Sequence, residues 1–97
     1  MTNWFIYILF CDQKTFYVGM TDNIERRFLE HKNGYSNFTK KFSDIQLVYT
    51  ENFTTRNKAE SRERQIKGWS IAKKKALIIG DKNLLKKLSK STGIGEV

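Results

Sequence analysis

The chain has 97 residues, 39% of them apolar and none of them proline, which suits one small domain; chains of this size bury about 60–65% of their unfolded surface. A formal net charge of +8 favours phosphate-bearing partners or an anionic membrane surface. One cysteine and one histidine exclude an intramolecular disulfide and a zinc site of the usual Cys/His spacing.

The first predicted element is Trp4 to Cys11, an uninterrupted apolar run rich in aromatic and β-branched residues. It reads as a central strand covered on both faces, and Cys11 within it as a buried thiol in a reducing compartment. The run is far shorter than the ~18–20 residues that span a bilayer. Met1-Thr2-Asn3-Trp4 shows no basic region or cleavage site, so a cytoplasmic location is the expectation. Asp12-Gln13 breaks the strand and Thr15-Phe16-Tyr17-Val18 begins a second, forming a hairpin. Closing it on Phe10 and Lys14 sets Tyr7 opposite Tyr17 on one face.

Gly19 then ends the second strand, and Thr21 or Asp22 caps a helix with Glu25 at the capping-box position. Ile24, Phe28 and Leu29 are its expected core stripe, with Arg27 and His31 one turn apart beside it. Asn33-Gly34 stops it. Tyr35 to Asp44 reads as a loop and Ile45 to Tyr49 as a third strand. A helix follows from about Thr55 to Ile66, with Ala59, Glu63 and either Ile66 or Lys67 on one face. Ile71 to Ile79 is a further helix, and Asn83 to Leu88 a last short amphipathic one. The fold class is α+β, a small three-stranded, mainly antiparallel sheet flanked by helices in the order β-β-α-β-α-α. Residues 1–88 form the single expected domain and 89–97 a flexible tail.

Basic residues concentrate in two stretches: eight lie between Arg56 and Lys75, and four more between Lys82 and Lys90. Between them and the sheet, five side chains suit phosphodiester chemistry. Tyr7 and Tyr17 present two phenols; ionising one at neutral pH costs about three units, or ~4 kcal/mol, unless positive charge lowers the cost. Arg27 can fork onto a phosphate, and His31 can hold a water or shuttle a proton. Glu63, drawn inward by Ala59, can hold Mg²⁺ together with waters and phosphate oxygens.

Phe5-Ile6-Tyr7 and Tyr17-Val18-Gly19, then Thr21, Ile24, Arg27 and His31, then Ala59, Arg62-Glu63 and Lys67-Gly68-Trp69 resemble the motifs of the GIY-YIG nuclease family, in its small stand-alone bacterial form. The likeness covers about residues 3 to 85. Phe5 stands where the family has its first glycine, and Val18 replaces its isoleucine. Neither change touches the phenols.

The resemblance implies a metal-dependent endonuclease that hydrolyses DNA phosphodiesters, in repair or in processing of branched or damaged DNA. Tyr7 and Tyr17 would meet the attacking water and the scissile phosphate, one of them as general base. Arg27 would stabilise the pentavalent phosphate and His31 would position water or a proton. Glu63 would hold one Mg²⁺ (or Mn²⁺). Thr21 and Asn83 are candidate site-lining residues. Lys40, Lys41, Lys67, Lys73, Lys74 and Lys75 would meet the nucleic-acid backbone. DNA is the expected partner, with RNA also admitted and no membrane. The expected state is a monomer or weak dimer, with a protein partner able to supply specificity. The alternative is a non-catalytic nucleic-acid-binding module, favoured by charge and by the aromatic-basic loop Tyr35 to Lys41.

Overall fold

The computed structural model describes residues 3–92. Among them the elements run β1 (Trp4–Cys11), β2 (Thr15–Thr21), α1 (Ile24–Lys32), β3 (Ile45–Phe53), α2 (Arg56–Lys67), α3 (Ile71–Ile79) and α4 (Lys82–Thr92). The three strands form one antiparallel sheet in the order β2-β1-β3. The expected sheet is therefore present, and the last short helix becomes a full fourth one.

β1 holds the centre because both of its faces are apolar. Ile6 and Ile8 point to one side and Tyr7, Leu9 and Cys11 to the other, all almost completely buried. Tyr7, Leu9, Cys11 and Ile45 form a cluster against which Tyr17, Ile24, Phe28 and Phe42 pack. Burial also raises the pKa of the Cys11 thiol.

The hairpin register differs from the expected one by two residues. Phe10 faces Phe16, Leu9 faces Tyr17, and Tyr7 faces Gly19. The cause is the turn: Asp12 and Gln13 both take positive φ, 51° and 60°, and the Lys14 amide donates to the Cys11 carbonyl at 3.1 Å. Aspartate tolerates this conformation better than most residues. Here its carboxylate also accepts from the amides of Ser43 and Asp44 at 3.0 and 2.8 Å, which fastens the turn to the start of β3. An even shift preserves the face of every side chain, so Tyr7 and Tyr17 remain on the same side, as diagonal neighbours. β2 also runs past Gly19 to Thr21.

The start of α1 moves accordingly. Asn23 is its N-cap, accepting from the Arg26 amide at 3.0 Å, where Thr21 or Asp22 was expected. Thr21 instead accepts from the Asn23 amide at 3.1 Å, and Asp22 pairs with Arg26 at 2.8 Å. The inward stripe is Ile24, Arg27, Phe28 and His31, at the spacing of one helical face. Leu29, expected in the core, is 57% exposed.

α2 packs against β1 and β2 and buries Ala59 and Ile66. Arg62 forks onto both oxygens of Glu51 at 3.0 Å each, tying α2 to β3, and the Tyr49 hydroxyl donates to the same carboxylate. The chain divides after Lys67 into two compact units. In the second, α3 is capped by Ser70, which accepts from the Lys73 amide at 3.2 Å, and ends at Gly80 with φ 77°. The Asp81 carboxylate accepts from the Leu84 amide at 2.9 Å, starting α4, which packs against α3. α4 continues to Thr92, four residues into the expected tail; the remaining tail residues, 93–97, lie outside the described ones.

Candidate active site

The site grows from one close approach. Tyr7 lies opposite Gly19, and a Cβ built there would fall 2.5 Å from the Tyr7 hydroxyl oxygen. Only a residue without a side chain lets the ring lie flat across β2. That placement carries the hydroxyl to α1, where it meets His31 Nε2 at 2.9 Å. On the other side of the imidazole, Nδ1 meets the Thr39 hydroxyl at 2.6 Å. His31 and Thr39 are fully buried and Tyr7 is 2% exposed, so the three form a buried chain from loop to helix to sheet, open only at Tyr7. The Tyr17 ring stands 6.2 Å from Tyr7 and 5.1 Å from His31 between centroids.

The electrostatics of this cluster correct one expectation. Positive charge, which a basic chain could supply, was the condition for lowering the cost of ionising a phenol. Burial instead pushes Tyr7 up to about 12, outweighing the hydrogen bond and charge of Arg27 beside it. Burial, with Arg27's charge adding to it, lowers His31 to about 4. At neutral pH both groups are uncharged, so each imidazole nitrogen has one role: one donates and the other accepts. Arg27 itself is held firmly cationic, chiefly by Glu30, which accepts from its Nη1 at 2.9 Å.

Tyr7, Tyr17, Arg27 and His31 are thus brought together. Glu63 sits on α2, its side chain 17% exposed, and its carboxylate pairs with Lys67 Nζ at 3.0 Å. Among the described residues no group of three or more His, Cys, Asp and Glu side chains could hold a metal ion. The donor set therefore does not fit a closed protein cage. It does fit a hard divalent ion held by one shielded carboxylate with waters and substrate oxygens, because half-exposed Lys67 can turn outward.

The remaining expected residues are dispersed. Thr21 is buried at the end of β2 and its hydroxyl donates to the Asn23 carbonyl at 3.3 Å. Lys40 and Lys41 are exposed on the loop after α1. In the second unit Lys73, expected on the backbone-binding face, is only 8% exposed and its ammonium lies 4.3 Å from the Trp69 ring centre. Lys75 and Asn83 of that unit are exposed and Lys74 half-buried. Thr39 was not foreseen: a hydroxyl in a polar loop, eight residues after His31, carries no periodic signal. Only the completed fold shows it as the imidazole's second partner.

The sequence profile of the GIY-YIG catalytic domain matches residues 3–76. The chain belongs to the GIY-YIG family. GIY-YIG domains are nuclease domains, and the tyrosines, glycine, arginine and histidine described above lie within the matched span. Small relatives share most of the chain. A UPF0213 protein of Natronomonas pharaonis is 40% identical over 75 residues, 76% of this chain and 88% of its own. One of Staphylococcus saprophyticus is 40% identical over 79 residues, 80% of this chain and 96% of its own. The solution NMR structure of a UPF0213 protein from Bacillus halodurans aligns with a TM-score of 0.54 at 28% identity, covering 91% of this chain and 95% of its own. That of a protein from E. faecalis aligns at 0.58 with 28% identity, covering 82% and 86%. The GIY-YIG order of strands and helices in this chain matches theirs. Among the described residues no helix is long and apolar enough to cross a membrane.

Proposed function

We propose that this chain is a divalent-metal-dependent endonuclease that hydrolyses DNA phosphodiester bonds, with branched or damaged DNA as the substrates to test first. The observation that carries the reading is the buried Thr39–His31–Tyr7 chain beside Arg27 and Tyr17. His31 Nε2 lies 2.9 Å from the Tyr7 oxygen and Nδ1 2.6 Å from the Thr39 hydroxyl, so the neutral imidazole can take the phenol's proton at Nε2 while Nδ1–H donates to Thr39. Arg27 stands beside the same oxygen. A proton acceptor and a fixed cation beside one phenol are what it needs to act as a base.

A Tyr7 pKa of about 12 leaves the phenolate about 7 kcal/mol above neutral-pH equilibrium in the resting site. Tyr7 therefore waits as a neutral hydroxyl that orients the attacking water and takes the water's proton as its own passes to His31 Nε2. Tyr17 meets the scissile phosphate, and Arg27, held cationic at every working pH, stabilises its pentavalent form. Glu63 would hold one Mg²⁺ or Mn²⁺, which supplies positive charge to the scissile phosphate and its leaving oxygen.

The test is nicking of supercoiled plasmid and cutting of flap or branched DNA with and without Mg²⁺. Arg27→Ala should slow cleavage by about 10²–10³-fold, and Glu63→Ala should abolish it while salt-sensitive DNA binding persists. Cleavage that proceeds in EDTA, or survives Glu63→Ala, would overturn the reading.

A further inference from the structure

Aromatic rings lead out of the site towards solvent. Tyr7, Tyr17, Phe38 and Phe42 follow one another at centroid separations of 6.2, 4.8 and 6.1 Å. Exposure rises from 2% at Tyr7 to 45% at Phe38, and Phe42 beyond it packs back against the core. The loop that carries Phe38 is anchored from beneath, because Thr39 is fully buried and hydrogen-bonded to His31. Lys41 Nζ lies 5.4 Å from the ring centres of both Phe38 and Phe42, and Tyr35 at the start of the loop is 77% exposed. From Tyr35 to Ser43 the chain has two lysines and no acidic residue.

An exposed phenylalanine costs solubility unless it has a partner. Phe38 keeps 45% of its surface in solvent, with a cation over its ring, although the loop that carries it is anchored. From this placement we infer that Phe38 and Lys41 form a stacking platform for one unpaired nucleobase of the substrate strand, Lys40 and Lys41 holding the adjoining phosphates. A base in a duplex has both faces covered by its neighbours, so only an unpaired or unstacked base can lie on Phe38. Phe38 stands one ring from Tyr17, so a strand whose phosphate reaches the tyrosines brings the next base over Phe38. The substrate class is then DNA with a single-stranded segment at the cut, such as a flap or gap. This deepens the nuclease reading and rests on it only for what the bound strand undergoes.

Binding is measured in EDTA, so that no strand is cut, by anisotropy of a short labelled single-stranded DNA and of the same sequence as duplex. Phe38→Leu keeps apolar packing against Tyr17 but removes the π face. It should weaken single-strand binding about tenfold and leave duplex binding and the melting temperature unchanged. A fluorescent adenine analogue in the strand should be quenched by the wild type and much less by Phe38→Leu; Phe38→Trp should restore the quenching. Single-strand affinity unchanged in Phe38→Leu, or equal losses for both DNAs, would overturn the platform. Mg²⁺-dependent plasmid nicking is scored separately, so the platform can fail while the nuclease reading stands, and the reverse.

Discussion

His31 is a polar side chain sealed in the core of a basic protein, and its energetics follow from that position. Both ring nitrogens are satisfied, by Tyr7 and Thr39, so the neutral form incurs no penalty for unmet hydrogen bonds. The charged form has lost its water and faces Arg27. Unfolded, the imidazole takes its proton near its usual 6.5; folded, only near about 4. Between those values the unfolded chain holds more protons, so stability rises with pH across that window and is lost as pH falls through it. The contribution is roughly 3 kcal/mol at most, from 1.36 kcal/mol per unit. Urea unfolding followed from about pH 7 down to about pH 5 should show this loss, well above the range where ordinary carboxylates titrate. His31→Gln should flatten it. A wild-type stability that stays level across the window would mean that His31 takes up its proton as readily in the folded protein as in the unfolded chain.

At the scale of elements, the pairing of β1 with β2 is fixed by a ring lying over a glycine. In Gly19→Ala the new methyl carbon would fall 2.5 Å from the Tyr7 oxygen and 2.6 Å from its ring carbon. The ring is rigid and tied to His31, so the strand pair must open or Tyr7 must leave its imidazole. Overpacking of this kind costs about 1–3 kcal/mol. Cleavage should fall much further than stability, by the margin of a displaced catalytic group; urea midpoints and plasmid nicking of the same preparation compare the two. Full activity in Gly19→Ala would show that the Tyr7–His31 contact is dispensable. The elements themselves were legible because their signals are local: a continuous apolar run for β1, Asn33-Gly34 ending α1, Gly68 and Gly80 breaking the chain on either side of α3. What escaped depended on contacts across the sequence. The hairpin register turned on Asp12 being held by Ser43 and Asp44, and the cap moved to Asn23 because β2 continued to Thr21. Arg27 and His31 became the inward face of α1, displacing Leu29, because a hydrogen-bonded site took the place of apolar packing. Tyr7, Tyr17, Arg27 and His31 could be named from their spacing; Thr39 could not.

Over the whole molecule, the 18 lysines and arginines behind the net charge of +8 are not equally placed to meet phosphate. Arg26, Arg27, Arg62, Arg64 and Lys67 are each paired with a carboxylate, and Lys73 is buried against Trp69. Lys40 and Lys41 stand exposed beside the aromatic row, in a stretch from Tyr35 to Ser43 without acidic residues. Single-strand binding should therefore weaken with salt, the slope of log K against log salt steepening by about 0.7 for each phosphate neutralised. Replacing both, as Lys40→Gln with Lys41→Gln, should make the slope shallower by about 1.4. Arg26→Gln removes the same kind of charge, but one already shared with Asp22 and Glu30, and should leave the slope nearly unchanged. Anisotropy titrations over a range of potassium chloride concentrations give all three slopes. If Arg26→Gln flattened the slope as much per charge as the lysine pair, the protein would bind DNA through its overall field rather than through the face beside Tyr17.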